Sequence, residues 1–175
     1  MSVQTAAQTV PTADAAAPVP TGFARPGFAP DEVVTSEPTR SARLKWVVVV
    51  DASIPAGRSL NAVACVAAST GEAVENLLAR GGPDGAGQHH PGLPWAGCTV
   101  LSATPAELSE LRTRAAAADG VLVVDMPAAA QTHRVYDGYL DELASTAPED
   151  LGVSAVSIVG PRNRVEKMVK RLPLA

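Results

Sequence analysis

The run Trp46-Val47-Val48-Val49-Val50, closed by Asp51 and an Ile-Pro-Ala-Gly corner, constrains this chain more than any other feature. Its apolar residues do not alternate with polar ones, so a strand built from them needs cover on both faces. Such a strand lies inside a sheet flanked by helices. The segments downstream supply the cover. "SLNAVACVAAST" reads as a helix from Ser59, close-packed through its alanines, and "GEAVENLLARGG" continues or restarts it as far as Gly81. "PDGAGQHHPGLPWAG" is a loop by its Gly and Pro content, and "CTVLSA" a short strand. In "TPAELSELRTRAAAADG", Thr104 caps a helix with Pro105 at its first position and Glu107 completing a capping box. "VLVVD" is a third strand, "QTHRVYDGYLDELAS" an amphipathic helix, "SAVSIVG" a fourth strand and "NRVEKMVKRL" a last helix. Helices alternating with strands predict a three-layer α/β/α domain with a largely parallel sheet.

Residues 1–30 are rich in Ala, Pro and Thr, lack a helical or strand period, and read as a disordered tail. Residues 31–44 read as an extended segment docked on the domain, and residues 45–175 as the domain itself. The net charge of -4 gives no overall basic field to attract nucleic acid. No apolar run approaches the ~18 residues that span a bilayer, and the amino terminus lacks the pattern of a secretory leader. The two cysteines, Cys65 and Cys98, fall in segments read as buried helix and strand, without zinc spacing. A cytoplasmic protein with no metal or cofactor is the expectation, and neither a membrane nor nucleic acid is an expected partner.

Ligands of open α/β sheets collect beyond the carboxyl ends of strands. Asp51 and Asp125, each closing an apolar strand, could therefore share one cleft, either as acid and base groups or as caps of their own turns. His89 and His90 stand in a loop framed by Gly and Pro, where an imidazole can act near neutrality. Gln131, Thr132, Arg134 and Tyr136 supply polar donors just after the third strand. Arg162 and Arg164 stand at a helix start, where they favour an anion or remain solvated. Gly57, Arg58 and Ser59 form a corner with neither of the glycine-rich phosphate fingerprints. Cys65 reads as a packed helix residue rather than a nucleophile.

Taken in order, "KWVVVVDASIPAGRSLNAVAC", "HPG", "VLVVDM", "AQTHRVYDGY", "APEDL" and "SIVGPRNRVEKMVKRLPL" resemble the bacterial domain-of-unknown-function 2000 family, from about Phe28 to the C-terminus. That family is placed among the type II peptidyl-tRNA hydrolase-like proteins. The resemblance implies a mixed four-stranded sheet with one strand antiparallel to the rest. The hydrolase pattern is similar to Lys, an apolar run, Gly-Lys-x-Lys, Ala-Ala-Gln, then His. Lys45, Gly57 and Ala62 agree with it, and Arg58 keeps the charge. Leu60, Ala64 and Ala67 stand where the second lysine, the glutamine and the histidine would be. Asp125 matches the aspartate that ends the hydrolase's third strand.

The expectation is a hydrolase-like domain that binds a small polar or anionic ligand without cleaving peptidyl-tRNA. Asp125 and His90 are its candidate catalytic groups. Asp51, Arg58, Ser59, Asn61, Gln131, Thr132 and Tyr136 are its candidate ligand-binding groups. Two other readings stay open. One is a diverged enzyme with Asp125 or His90 as general base on an acyl ester or amide. The other is an interaction module whose tail or basic last helix docks a partner or a second copy, forming a homodimer. Composition and motifs do not decide whether the chain is an enzyme.

Overall fold

A computed structural model of the chain describes residues 26–175. β1 (Leu44–Asp51) is followed by α1 (Ala56–Ala73), a small hairpin of β2 (Gly82–Pro83) and β3 (His89–His90), then β4 (Thr99–Ala103) and α2 (Pro105–Ala116). β5 (Leu122–Pro127), a 3-10 turn over Ala128–Gln131, α3 (Tyr136–Ser145), β6 (Val153–Pro161) and α4 (Arg162–Val169) complete the order. The main sheet runs β4-β1-β6-β5. β1 and β4 are parallel, and β6 is antiparallel to both β1 and β5. The fold is thus a mixed four-stranded sheet with helices on both faces. Alternation of helix and strand alone suggests a more uniformly parallel sheet. β6 reverses because only the β5–β6 connection, carrying α3, leaves and re-enters the sheet at the same end.

The valine run behaves as its composition demands. Trp46, Val48 and Val50 face α1 together with Ala62, Val66, Ala155 and Val159. Val47 and Val49 face α2 and α4, with Leu108, Leu111, Val156, Ile158 and Val165. On α1 the inward positions Ala62, Val66 and Thr70 recur every fourth residue, and the small first member brings the helix onto β6. A polar chain crosses this layer. Trp46 Nε1 donates to Ser157 Oγ at 2.8 Å, Ser157 Oγ lies 2.7 Å from Thr70 Oγ1, and Thr70 donates to the Val66 carbonyl at 2.6 Å.

Several local expectations are corrected. α1 starts at Ala56, after Pro55, rather than at Ser59, and it ends at Ala73 instead of reaching Gly81. Beyond Val74 the chain turns at Asn76, whose φ is +54°, and Leu78 bridges to Pro94. Pairing with the 93–97 segment therefore takes the residues a longer helix would have used. The loop before β4 contains the hairpin. The helix after β5 begins at Tyr136, behind a 3-10 turn. Cys65 and Cys98 are both exposed and free rather than buried, because Cys65 falls on the outward face of α1 and Cys98 just ahead of β4.

Of the tail, residues 1–25 lie outside the described residues, but residues 26–30 are packed on the domain. Phe28 is buried edge-on against Trp95 with ring centroids 4.8 Å apart, and its amide donates to the Glu75 carbonyl. Residues 30–44 hold two 3-10 turns, Pro30–Glu32 and Thr39–Ser41. Arg43 fastens the first of these. It donates to Glu32 through Nε at 2.5 Å and Nη2 at 2.9 Å, and to the Gly27 carbonyl at 2.9 Å. The Arg43 bonds, and then the Ala29 N–H, lower the Glu32 carboxyl from 4.5 to about 2. A depressed carboxyl stabilises the form that holds it charged, so this link is complete above pH 4.5 and is lost as pH falls through about 2. Carboxyl-carbon NMR should find Glu32 titrating at about 2, well below the ordinary glutamate value of 4.5; an ordinary midpoint would contradict the clasp.

The far sheet edge is closed by the chain itself. Beyond α4, the Pro173 carbonyl accepts from Ser102 and the Ala175 amide donates to Val100, laying the C-terminal residues along β4. Arg162 is engaged within the protein, and Nη1 lies 3.4 Å from Glu166 Oε1 on the same helix. It donates to the carbonyls of Ala42, Thr39 and Leu44 and so ties α4 to the segment ahead of β1.

Candidate functional site

The carboxyl ends of β1 and β5 and the amino-terminal turns of α1 and α2 meet at one end of the sheet. Asp51 closes β1 there with only 8% of its surface exposed. Oδ1 accepts from both the amide and the hydroxyl of Ser53 at 2.7 Å, the turn cap that an aspartate at this position favours. Oδ2 accepts no hydrogen bond from the described residues, and the side chain borders a cavity of about 310 Å³. Asp51, Ile54, Ser109 on α2, and Ser154 on β6 line it, and the Glu149–Gly152 turn walls its outer side. Between Met126 and Pro127 the β5–β6 register slips, so that Met126 faces Ala155 while Pro127 faces Val153. Ser154 is the residue skipped by this bulge, and it lies in the cavity wall.

The start of α2 also borders the cavity through Pro105 and Ala106. Its positive pole is partly used by its own cap. Thr104 Oγ1 accepts from the Glu107 amide, and Glu107 Oε2 accepts from the Thr104 amide and hydroxyl. Those bonds hold Glu107 below its usual range. The ionisable groups on the cavity wall are Asp51, Glu149 and Asp150, with no lysine, arginine or histidine among them.

A second polar cluster sits on the α1 side. Gln131 Nε2 donates to the Arg58 carbonyl at 2.8 Å and to Asn61 Oδ1 at 3.0 Å, while its Oε1 accepts from Ser154 at 3.4 Å. Gln131 thereby joins the first turns of α1 to the bulge that borders the cavity. Arg58 contributes its carbonyl to this cluster, and Ser59 lies half-buried on α1 next to it.

The remaining sequence candidates are dispersed. Asp125 registers with Val156 on β6, as does Val49 on β1, so it is one pleat short of Asp51 and separated from it by a whole strand, about 10 Å. Arg112 Nε on α2 donates to Asp125 Oδ2, which makes this carboxylate half of an ion pair rather than a free base. His90 lies on the exposed hairpin, 3.4 Å from Asp84. The hairpin leads into β4, whose first residue Thr99 pairs with Val47. Neither His90 nor Asp125 lines the cavity that Asp51 borders, so the expected cleft joining the three does not form. Thr132 donates to the Ala129 carbonyl within the turn. Tyr136 is 73% exposed on α3, edge-on to Tyr139. Among the described residues, no group of three or more His, Cys, Asp or Glu is arranged to hold a metal ion, and no helix is long and apolar enough to cross a membrane.

Ser109, Glu149, Asp150, Ser154 and Arg112 escaped the sequence reading. Ser109 had a signal, since it stands one turn beyond Pro105 on a well-marked helix. Glu149 and Asp150 stand in "APEDL", where acidic residues read as an ordinary turn. The bulge that places Ser154 has no mark in "GVSAVSIVG".

The protein of unknown function Atu0240 from Agrobacterium tumefaciens strain C58 has a similar structure, with a TM-score of 0.64 at 18% identity, covering 76% of this chain and 98% of that one. At that identity the likeness shows the fold alone. No curated protein matches the sequence. A family model described as "Protein of unknown function (DUF2000)" matches residues 44–175, from the first residue of β1 to the C-terminus, and the chain belongs to that family.

Proposed function

We propose that the protein binds a small polar ligand in the Asp51 cavity, on a peptidyl-tRNA hydrolase-like framework that does not cleave peptidyl-tRNA. The observation that carries this reading is Asp51 itself: a residue 8% exposed at a strand end, with one carboxylate oxygen capping its turn and the other, unbonded to the described residues, open to the cavity. Oδ2 therefore opens on the cavity, where a ligand N–H or O–H can take the place of solvent on it. The volume, about 310 Å³, is at the small end of ligand sites. The carboxylates at Asp51, Glu149 and Asp150 favour a donor-rich or cationic ligand over an anionic one, which narrows the expectation formed from the sequence. With Asp125 held by Arg112 and His90 beside Asp84 on the exposed hairpin, and neither lining the cavity, neither supports an acyl-hydrolase reading.

A thermal-shift screen of small amines, amino alcohols and amides against matched carboxylates and phosphates tests this. A donor-rich compound at a hundredfold excess over its Kd should raise the Tm by about 5–10 °C. Asp51→Asn should lose most of that shift while keeping the Ser53 turn. Stabilisation by the anions instead, or an undiminished response of Asp51→Asn, would count against the reading.

A further inference from the structure

The excursion between β5 and β6 is unlike the rest of the fold. α3 is the one α-helix among the described residues with no buried residue, whereas α1, α2 and α4 each place two or more in the core. Its principal packing partner is the 3-10 turn immediately before it. Val135, Tyr136 and Leu140 leave its apolar side exposed at 66%, 73% and 43%. Yet the excursion is coherent. His133 Nε2 lies 2.5 Å from Glu142 Oε2, tying the entry segment to the helix. The imidazole rests over Gly138, where a Cβ would come within 3.1 Å of Nδ1. The far end is closed by the Ser145 and Thr146 hydroxyls, which donate back to the Asp141 and Glu142 carbonyls.

Both ends of this unit are anchored at the cavity. On the outgoing side Gln131 is bonded to α1, and the Ala128 amide donates to the Gly152 carbonyl at 2.8 Å, pinching the two limbs together. On the returning side, Glu149 to Gly152 form part of the cavity wall. A rigid element with little packing, joined to the body by two short limbs that border a pocket, has the construction of a lid.

We propose that residues 132–151 move as one lid on hinges beside Gln131 and at Gly152, and that this motion, which carries the Glu149, Asp150 and Leu151 part of the wall, controls access to the Asp51 cavity. The proposal rests on the reading of that cavity as the ligand site, but its test contains no ligand, so the two fail separately. Ser154 is the reporter: it borders the cavity and is 3% exposed. Ser154→Cys, in a Cys65→Ser, Cys98→Ser background, is treated with a chromogenic disulfide reagent. Val153→Cys, on the same wall and 9% exposed, is the alternative reporter should the first not fold.

Labelling should be at least about tenfold faster than global unfolding allows and insensitive to low urea, as local opening requires. Gly152→Ala stiffens the hinge. A Cβ there meets only Ala128 Cβ at 3.6 Å, an ordinary contact, so the folded state accepts it. It should slow labelling about two- to fivefold with labelling still insensitive to low urea, any small rise in the urea midpoint reflecting the unfolded chain's lost freedom. Labelling limited by global unfolding, or unaffected by Gly152→Ala, would overturn the lid. So would protection of the reporter that grows with protein concentration alongside a doubled mass, which would assign the α3 face to a second copy.

Discussion

Trp46→Ala is expected to lower the unfolding free energy by about 3–5 kcal/mol in urea denaturation. The indole is 6% exposed within the α1-facing layer, so truncation leaves a cavity between the central strand and the helix. It also removes the first donor of the chain that runs through Ser157 and Thr70 to the Val66 carbonyl. Polar groups at this depth are tolerated because each is bonded, and an orphaned one costs about 1–3 kcal/mol. Ser157→Ala isolates that second effect, since it opens little space but leaves the Trp46 N–H without its acceptor. The two substitutions share one interaction, so the double variant should lose less than their sum. A loss under about 1 kcal/mol for Trp46→Ala would contradict the packing described.

The second large effect is on peptidyl-tRNA. Purified protein should release peptide at least about a thousandfold more slowly than a working type II hydrolase, because a positioned base or electrostatic group contributes about 10²–10⁴ in rate. The likeness to those enzymes that we propose would put polar groups at three positions of the first helix. Here Leu60 is 70% exposed, Ala64 is exposed, and Ala67 packs against the core. The outward face of α1 therefore presents methyl groups where the hydrolases' lysine and glutamine would stand. Release at a true hydrolase's rate, lost in Asp125→Asn, would overturn this part of the account.

What the sequence made legible follows from range. The Val47–Val50 run, the Thr104-Pro105-Glu107 cap and the apolar face of α4 are local patterns whose physical causes lie within a few residues, and each appears where expected. Phe28 reads as tail from the sequence because its partner, Trp95, is distant in sequence and no local period marks it. The site divides in the same way. Asp51 at the end of β1 and Gln131 beside Asn61 were visible as strand-end and post-strand polar groups. The separation of Asp51 from Asp125 was not, because it depends on β6 inserting between β1 and β5. The pairing of Asp125 with Arg112 likewise depends on which way α2 faces. The acidic character of the cavity comes from a turn brought back by α3, and that return is a property of topology rather than of any motif.

The central claim is that the Asp51 cavity is where a small donor-rich ligand binds. Amide NMR of the full chain, titrated with the strongest stabilising amine from the thermal-shift screen, tests it most directly. The account predicts saturable shifts centred on Ser53, Ser109, Gly152 and Ser154, absent from Asp51→Asn. Shifts centred on the His89–His90 hairpin or on the outward face of α1, with those four amides unmoved, would contradict it.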